Sequence, residues 1–276
     1  MRKRLFRVLI FIVLTVLAVI TLSPVGFLVI NSFKSQSEIV ASPIALPTEW
    51  NSGYVLTAAE QINFFGSLAI TFIITLLSVV LIVLASSLAG WMIARAKNRL
   101  ASVMLYMFTA AMLIPFQAVM YPLLSLFEGV GLKNIPGLII MYGGFGLSLS
   151  VFLYHGFVKS IPASIEEAAL IDGAGMLKTF FSVVFPLMKS TTATVVILNA
   201  LWIWNDYLLP FLVIGNAPAR TLTLELYFAK MTSGQFGNPW ELIFPAVFVS
   251  IIPIIIVFLI LQKHIVRGIS DGAVKG

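Results

Sequence analysis

Cysteine is absent from this chain. That excludes disulfides, thiolate metal sites and a cysteine nucleophile, and says nothing about redox compartment. Charge is scarce too. Only 10% of the 276 residues are Asp, Glu, Lys or Arg, and 60% are hydrophobic, whereas an average soluble domain is about 25% charged. So few charges cannot cover a water-facing surface, which excludes an ordinary soluble enzyme, a disordered chain and a nucleic-acid module. Lipid must solvate most of the exterior. The two histidines, His155 and His264, fall at ends of apolar stretches, where a polar tip can reach water. No H-E-x-x-H, paired-histidine or hydrolase pattern occurs. No G-x-x-x-x-G-K-[ST] phosphate loop occurs either. No catalytic residue and no metal ligand can be assigned.

A membrane-spanning helix needs roughly 20 apolar residues. Six stretches qualify, near Leu5–Ile30, Phe64–Ala94, Ala101–Phe127, Ile135–Val158, Leu187–Ile214 and Leu242–Leu261. The first opens with Arg2, Lys3, Arg4 and Arg7, as a secretion signal would. It stays apolar well beyond the roughly 7–15 residues of a signal core, so it reads as a retained span. The expected fold is an all-α membrane protein with six transmembrane helices.

The basic residues orient it. Arg2, Lys3, Arg4, Arg7, Arg95, Lys97, Arg99, Lys159, Lys178, Lys189, Lys263, Arg267 and Lys275 fall on one side. Of the 17 Lys and Arg, only Lys34, Lys133, Arg220 and Lys230 fall on the other. The positive-inside rule places the richer side, with both termini, in the cytoplasm. The net charge of +6 follows from topology, and no nucleic-acid partner is needed to explain it. Two external segments are long and turn-rich, about 31–63 and 215–240. The second contains an apolar stretch, Thr221–Lys230, that reads as a short helix.

The cytoplasmic segment Lys159–Pro186 does not read like a simple loop, since it carries Glu166, Glu167 and Asp172 beside its lysines. Ser164 and Glu167 have the spacing of a capping box, which predicts a helix from near Ile165. Ile165, Ala168, Ala169 and Ile171 would share its apolar face, with Glu166 and Glu167 toward water. Gly173 and Gly175 would stop it. A second helical stretch, Met176 to Phe185, would lead to Pro186 and back into the membrane.

The order of residues in this segment is specific. Glu167-Ala168-Ala169, Asp172-Gly173-Ala174 and Val183-Val184-Phe185-Pro186 resemble the EAA loop of ABC importer permeases. Val183 and Phe185 stand where that pattern has Ile and Leu. Ile114-Pro115-Phe116-Gln117, Trp204-Asn205-Asp206 and the ending Gly272-Ala273-Val274-Lys275-Gly276 look like the carbohydrate-uptake, maltose-type branch, in its smaller G-type subunit. The resemblance implies a type I importer transmembrane domain. Residues 1–62 would form the first span and external loop. Residues 63–264 would form the core carrying the coupling loop 159–186, and 265–276 a cytoplasmic tail.

It also implies an assembly in the bacterial cytoplasmic membrane. Its parts would be a second homologous permease subunit, a dimer of ATP-binding subunits and an extracellular solute-binding protein, acting on a sugar or sugar-like solute. ATP and magnesium would sit on the ATPase, leaving this chain without a cofactor. Ser164, Glu166, Glu167, Ala168, Ala169, Asp172, Gly173 and Ala174 would couple this chain to the ATPase through the coupling helix that the ATPase grips, with Gly173 as a close-packed pivot between the two helices of the loop. Gln235, Phe236, Gly237 and Asn238 would reach toward the binding protein.

Polar groups inside spans are costly and point to function by default. Gln117, Asn199, Asn205 and Asp206, with Trp202 beside them, are candidates for a solute pathway, because a sugar has an apolar face and a rim of hydroxyls. Inter-helix hydrogen bonding is the other use of the asparagines. Pro115, Pro122, Pro210, Pro245 and Pro253 interrupt the apolar stretches. A self-sufficient carrier or channel would want inverted repeats and a midplane carboxylate. No repeat is visible, and Asp206 is the one acid well inside a span.

Overall fold

The structure, a computed structural model, describes residues 2–215, 217–233 and 239–273. Among them every regular element is helical. In chain order these are α1 (Arg2–Asn31), α2 (Gln36–Ala41), α3 (Gly53–Gln61), α4 (Phe64–Arg95), α5 (Arg99–Ala111), α6 (Phe116–Gly129) and α7 (Ile135–Val158). Then come α8 (Ala163–Ile171), α9 (Met176–Thr179), a π turn (Phe180–Val184), α10 (Phe185–Leu187), α11 (Lys189–Asn205), α12 (Leu208–Ile214), α13 (Leu222–Ser233) and α14 (Trp240–Ala273).

α1, α4 and α7 are long and apolar enough to cross a membrane, and their ends fall within a few residues of the expected spans. Local chemistry sets several boundaries. Asn98 accepts from the Ala101 amide at 2.8 Å and opens α5. Asn134 accepts from Gly137 at 3.0 Å and opens α7, with Pro136 in its first turn. Both are side-chain N-caps that satisfy otherwise orphaned donors.

The third span is not the continuous helix expected: α5 and α6 diverge by 105°. A second break comes where Met176–Leu187 meets α11 at 79°, beside the Pro186 at which the chain is expected to return into the membrane. The expected fifth span, Leu187–Ile214, is itself divided at Asp206–Tyr207 into α11 and α12. Pro115 sits at the N-cap of α6 and holds the preceding residue out of helical geometry. The second break is prepared by the π turn. Its register lets the Phe185 amide reach Phe180 O just before Pro186, which has no amide to donate. Not every proline interrupts its helix. Pro122 lies within α6, and Pro245 and Pro253 lie within α14.

The chain forms two compact units. One comprises residues 1–67 and 222–256. Its core is Ala58, Ile62, Leu222 and Ala246, with Phe64, Leu226, Ala229 and Leu242 packed around it. Phe244 stacks on Trp240 at 5.4 Å and meets Phe27 edge-on at 5.5 Å. Lys34 is fully buried, and its Nζ donates to Ser42 O at 2.9 Å. The Gln36 amide donates to Glu241 Oε2 at 2.9 Å, and Gln36 Oε1 accepts from the Trp240 amide at 2.7 Å.

The other unit comprises Leu68–Thr221 and the last helix from Val257 on. Here α4 and α7 cross closely. A Cβ on Gly90 would lie 2.7 Å from the Cβ of Tyr154. Ile93, Ala101 and Val151 close the inner end with Ala89, Leu105 and Phe108. The Tyr154 hydroxyl bonds Thr192 at 3.0 Å and ties α7 to α11.

Candidate functional site

The segment between α7 and α11 holds the first site. α8 starts at Ala163, with Pro162 at its N-cap and no side-chain cap bond. The expected capping box of Ser164 and Glu167 therefore does not form. Proline already supplies the extended entry, and Ser164 falls inside the first turn. α8 ends in a Schellman turn. The Gly173 amide bonds Leu170 O and the Ala174 amide bonds Ala169 O, both at 3.0 Å. Gly173 has φ +80°, and a Cβ there would meet nothing within 4 Å. Glycine is required there by backbone conformation, and among the described residues of this chain nothing packs against it.

Glu166 is 8% exposed and is the one buried residue of α8. The expectation that it faces water fails, because α4 brings two donors to it. Trp91 Nε1 donates to Oε2 at 2.9 Å. Arg95 Nε and Nη2 donate to Oε1 at 2.9 and 2.6 Å. Arg95 Nη2 also donates to Ile161 O at 2.9 Å. The Trp91 ring lies against Phe180, centroids 5.2 Å apart.

The apolar face expected of α8 is turned outward. Ile165, Leu170 and Ile171 are exposed, Ile171 at 86%, as are Met176 and Leu177 just beyond. Glu167, Ala168, Asp172 and Gly173 are exposed, whereas Ala169 and Ala174 are half-buried. α8 thus presents exposed apolar side chains beside an outward carboxylate, the composition of a surface that meets another protein or lipid headgroups.

The second feature is a cavity of about 720 Å³ between the α5–α6 break, α7 and α11, lined among others by Met112, Ile114, Phe145, Ser148, Asn199 and Trp202. Asn199 is buried and donates to Ser150 Oγ at 3.1 Å and Val195 O at 2.8 Å, so it also ties α11 to α7. Trp202 stands edge-on to Tyr142, centroids 5.4 Å apart. The Tyr142 hydroxyl in turn donates to Asp206 Oδ2 at 3.0 Å. Asp206 Oδ1 accepts from the Leu208 amide at 2.9 Å and so opens α12.

Of the five candidates for a solute pathway, Asn199 and Trp202 come together on the cavity, and Asp206 stands behind Trp202 through Tyr142. Gln117 is exposed on the first turn of α6, away from the lining, and Asn205 is exposed with its amide on Leu201 O at 2.7 Å. Gln235 to Asn238 lie outside the described residues. Sequence reasoning missed Trp91, Arg95, Tyr142 and Ser150. Arg95 counted only as one more cytoplasmic charge, and its partner is 71 residues away. Among the described residues no cluster of His, Asp and Glu could hold a metal ion.

Residues 86–271 match the family described as binding-protein-dependent transport system inner membrane component. The probable starch degradation products transport system permease protein AmyC of Thermoanaerobacterium thermosulfurigenes is 40% identical, over 94% of each chain. The multiple sugar-binding transport system permease protein MsmG of Streptococcus mutans is 37% identical, over 96% of each. The melibiose/raffinose/stachyose import permease protein MelC of Bacillus subtilis is 34% identical, over 92% of this chain and 91% of its own. A chain in the crystal structure of a bacterial ABC transporter for the acidic polysaccharide alginate shares the fold. Its TM-score is 0.80 at 24% identity, over 95% of this chain and 96% of that one. The outward-facing α8 and the broken spans thus sit in a membrane protein that belongs to the binding-protein-dependent inner membrane components, the permeases of ABC importers.

Proposed function

We propose that this chain is one of two permease subunits of a sugar importer in the bacterial cytoplasmic membrane. The observation that carries the reading is α8. It is a short helix with a sharp stop at Gly173, seated by Glu166 and showing Ile165, Leu170, Ile171 and Glu167 to a partner. That partner is a dimer of ATP-binding subunits, which holds ATP and magnesium and does the hydrolysis. This chain catalyses no reaction of its own. The apolar side chains enter a groove of the ATPase, Glu167 makes a charged contact at its edge, and Gly173 sets the angle at which the force enters α9 and α11.

A homologous second permease subunit covers the cavity and the α5–α6 break, where irregular backbone needs protein or water against it. The solute moves along that covered cavity. Trp202 offers an aromatic face and Asn199 an amide, the two kinds of group a sugar needs. An extracellular binding protein delivers the solute, and Gln235, Phe236, Gly237 and Asn238 reach toward its cleft. The names of the relatives support a carbohydrate as the solute, with plant and starch oligosaccharides to be tried first.

The test is co-expression with the neighbouring permease and ATPase, purification through a tag on this chain, and reconstitution in liposomes with the binding protein. The expected result is a complex that takes up a labelled maltodextrin or raffinose-type sugar only with ATP and binding protein present. Uptake by this chain alone, driven by an ion gradient, would refute the reading.

A further inference from the structure

Glu166 stands just before the EAA pattern, which starts at Glu167, yet it is the residue that seats α8. We propose that the cluster of Trp91, Arg95 and Glu166 is a mechanical link that makes α8 and the inner end of α4 move as one body during transport. This rests on reading α8 as the ATPase contact, and it adds a second route into the membrane beside the covalent one through α9 and α11.

Three observations carry it. First, α8 has no apolar seat on this chain. Its large apolar side chains are exposed; within the loop it meets α9 and the π turn, and Glu166, its one buried side chain, is what ties it to α4. At one end it is joined through the Schellman turn at Gly173 and at the other through the short turn Lys159–Pro162. Second, the carboxylate is saturated. Oε1 takes two donors from Arg95 and Oε2 takes the Trp91 indole, so it cannot swing without breaking charge-assisted bonds. Exposed pairs of this kind contribute little; here the Arg95 side chain is 25% exposed and that of Glu166 only 10%, so removing Arg95 would strand the more buried partner. Third, the donors leave α4 one turn apart, at positions 91 and 95. Arg95 also holds Ile161 O, and Trp91 rests on Phe180. The cluster therefore clamps the entry to α8 and the start of the π turn to the same helix. α4 has no proline that would let its inner end yield.

Pulse-dipolar spectroscopy on the assembled transporter tests this, since a chain without cysteine accepts site-directed labels cleanly. Labels at Lys97 and Ser164, both exposed and off the apolar patch, report the α4–α8 distance without nucleotide and with ATP trapped. The expected result is one narrow distribution that does not change. A shift on ATP binding would overturn the proposal. Glu166→Gln removes the charge but keeps the shape. It is expected to assemble with the ATPase and hydrolyse ATP while moving about tenfold less solute per ATP, in the usual range of coupling between sites. Full yield per ATP in that variant would also overturn it. Should Glu166→Gln fail to accumulate, Arg95→Lys keeps the charge and loses the two-pronged grip. A broadened label distribution is the expected result, and an unchanged one counts against the link. Failure of the unmodified chain to bind any ATPase would instead refute the importer reading, so the two failures are separable.

Discussion

The hydroxyl of Tyr142 donates to Asp206 at 3.0 Å across 64 residues of chain, and both carboxylate oxygens of Asp206 are engaged at the point where α11 gives way to α12. An acid at a helix break in a membrane protein invites a catalytic or ion-coupling reading. Here it shapes the chain. Oδ1 opens α12, Oδ2 anchors a buried tyrosine, and that tyrosine carries the cavity-lining Trp202 edge-on.

Tyr142→Phe is therefore expected to destabilise the solubilised protein by about 1–3 kcal/mol, the range for stranding one partner of a buried hydrogen bond. A drop in melting temperature measures it. Asp206→Asn keeps an acceptor for the Leu208 amide and should cost less. If Trp202 is a sugar platform, Tyr142→Phe also lowers sugar uptake, in vesicles held well below the melting temperature.

The α4–α7 crossing allows no side chain at Gly90, where a Cβ would meet Tyr154 Cβ at 2.7 Å and the His155 amide at 3.0 Å. Gly90→Ala should cost about 1–3 kcal/mol by overpacking. Gly156→Ala on α7, with nothing within 4 Å, should leave the melting temperature unchanged or raised. Equal effects of the two substitutions would mean that the helices can part at little cost.

The continuous spans were legible in the sequence because length and hydropathy alone define them, so α1, α4 and α7 begin and end near where the apolar runs do. The breaks were only half legible. Pro115 is visible as a breaker, but the 105° turn it starts depends on what the two arms pack against. The second break lies beside Pro186, which marks the return into the membrane, but the π turn that prepares it leaves no mark in the sequence. The segment between α7 and α11 shows the same division. Its motif is local and stood out. The burial of Glu166 was hidden, because Trp91 and Arg95 are supplied by a helix two spans earlier in the chain.

At Gly173 the constraint is a φ of +80° with open space around the α-carbon. Alanine and leucine should be equally harmful there, each costing about 1–2 kcal/mol for the left-handed backbone, and asparagine should be tolerated better. The ratio of solute moved to ATP hydrolysed by the assembled transporter checks this. A loss that grows with side-chain size would point to a close-packed neighbour on the ATPase.

The distribution of basic residues makes a separate prediction about sidedness. Single cysteines at Glu49 should react with a membrane-impermeant maleimide added outside. Cysteines at Lys97 and Lys178 should react only after the cytoplasmic face is opened. External labelling at Lys178 would reverse the orientation and remove α8 from reach of any cytoplasmic ATPase.

The break between α5 and α6 has a further consequence, for supply. Met112, Leu113, Ile114 and Pro115 are exposed on this chain; the Leu113 and Ile114 amides keep partners at Ala110 O and Ala111 O, but any carbonyl of the kink left facing hydrocarbon costs several kcal/mol. A copy inserted without a companion carries that penalty for as long as it stays alone. If a second permease subunit covers the break, as proposed above, the cell has reason to make the two in matched amounts and close together in time, and a surplus of either is a natural target for degradation. In this sense a four-residue kink sets a rule for how the protein is produced as well as how it works.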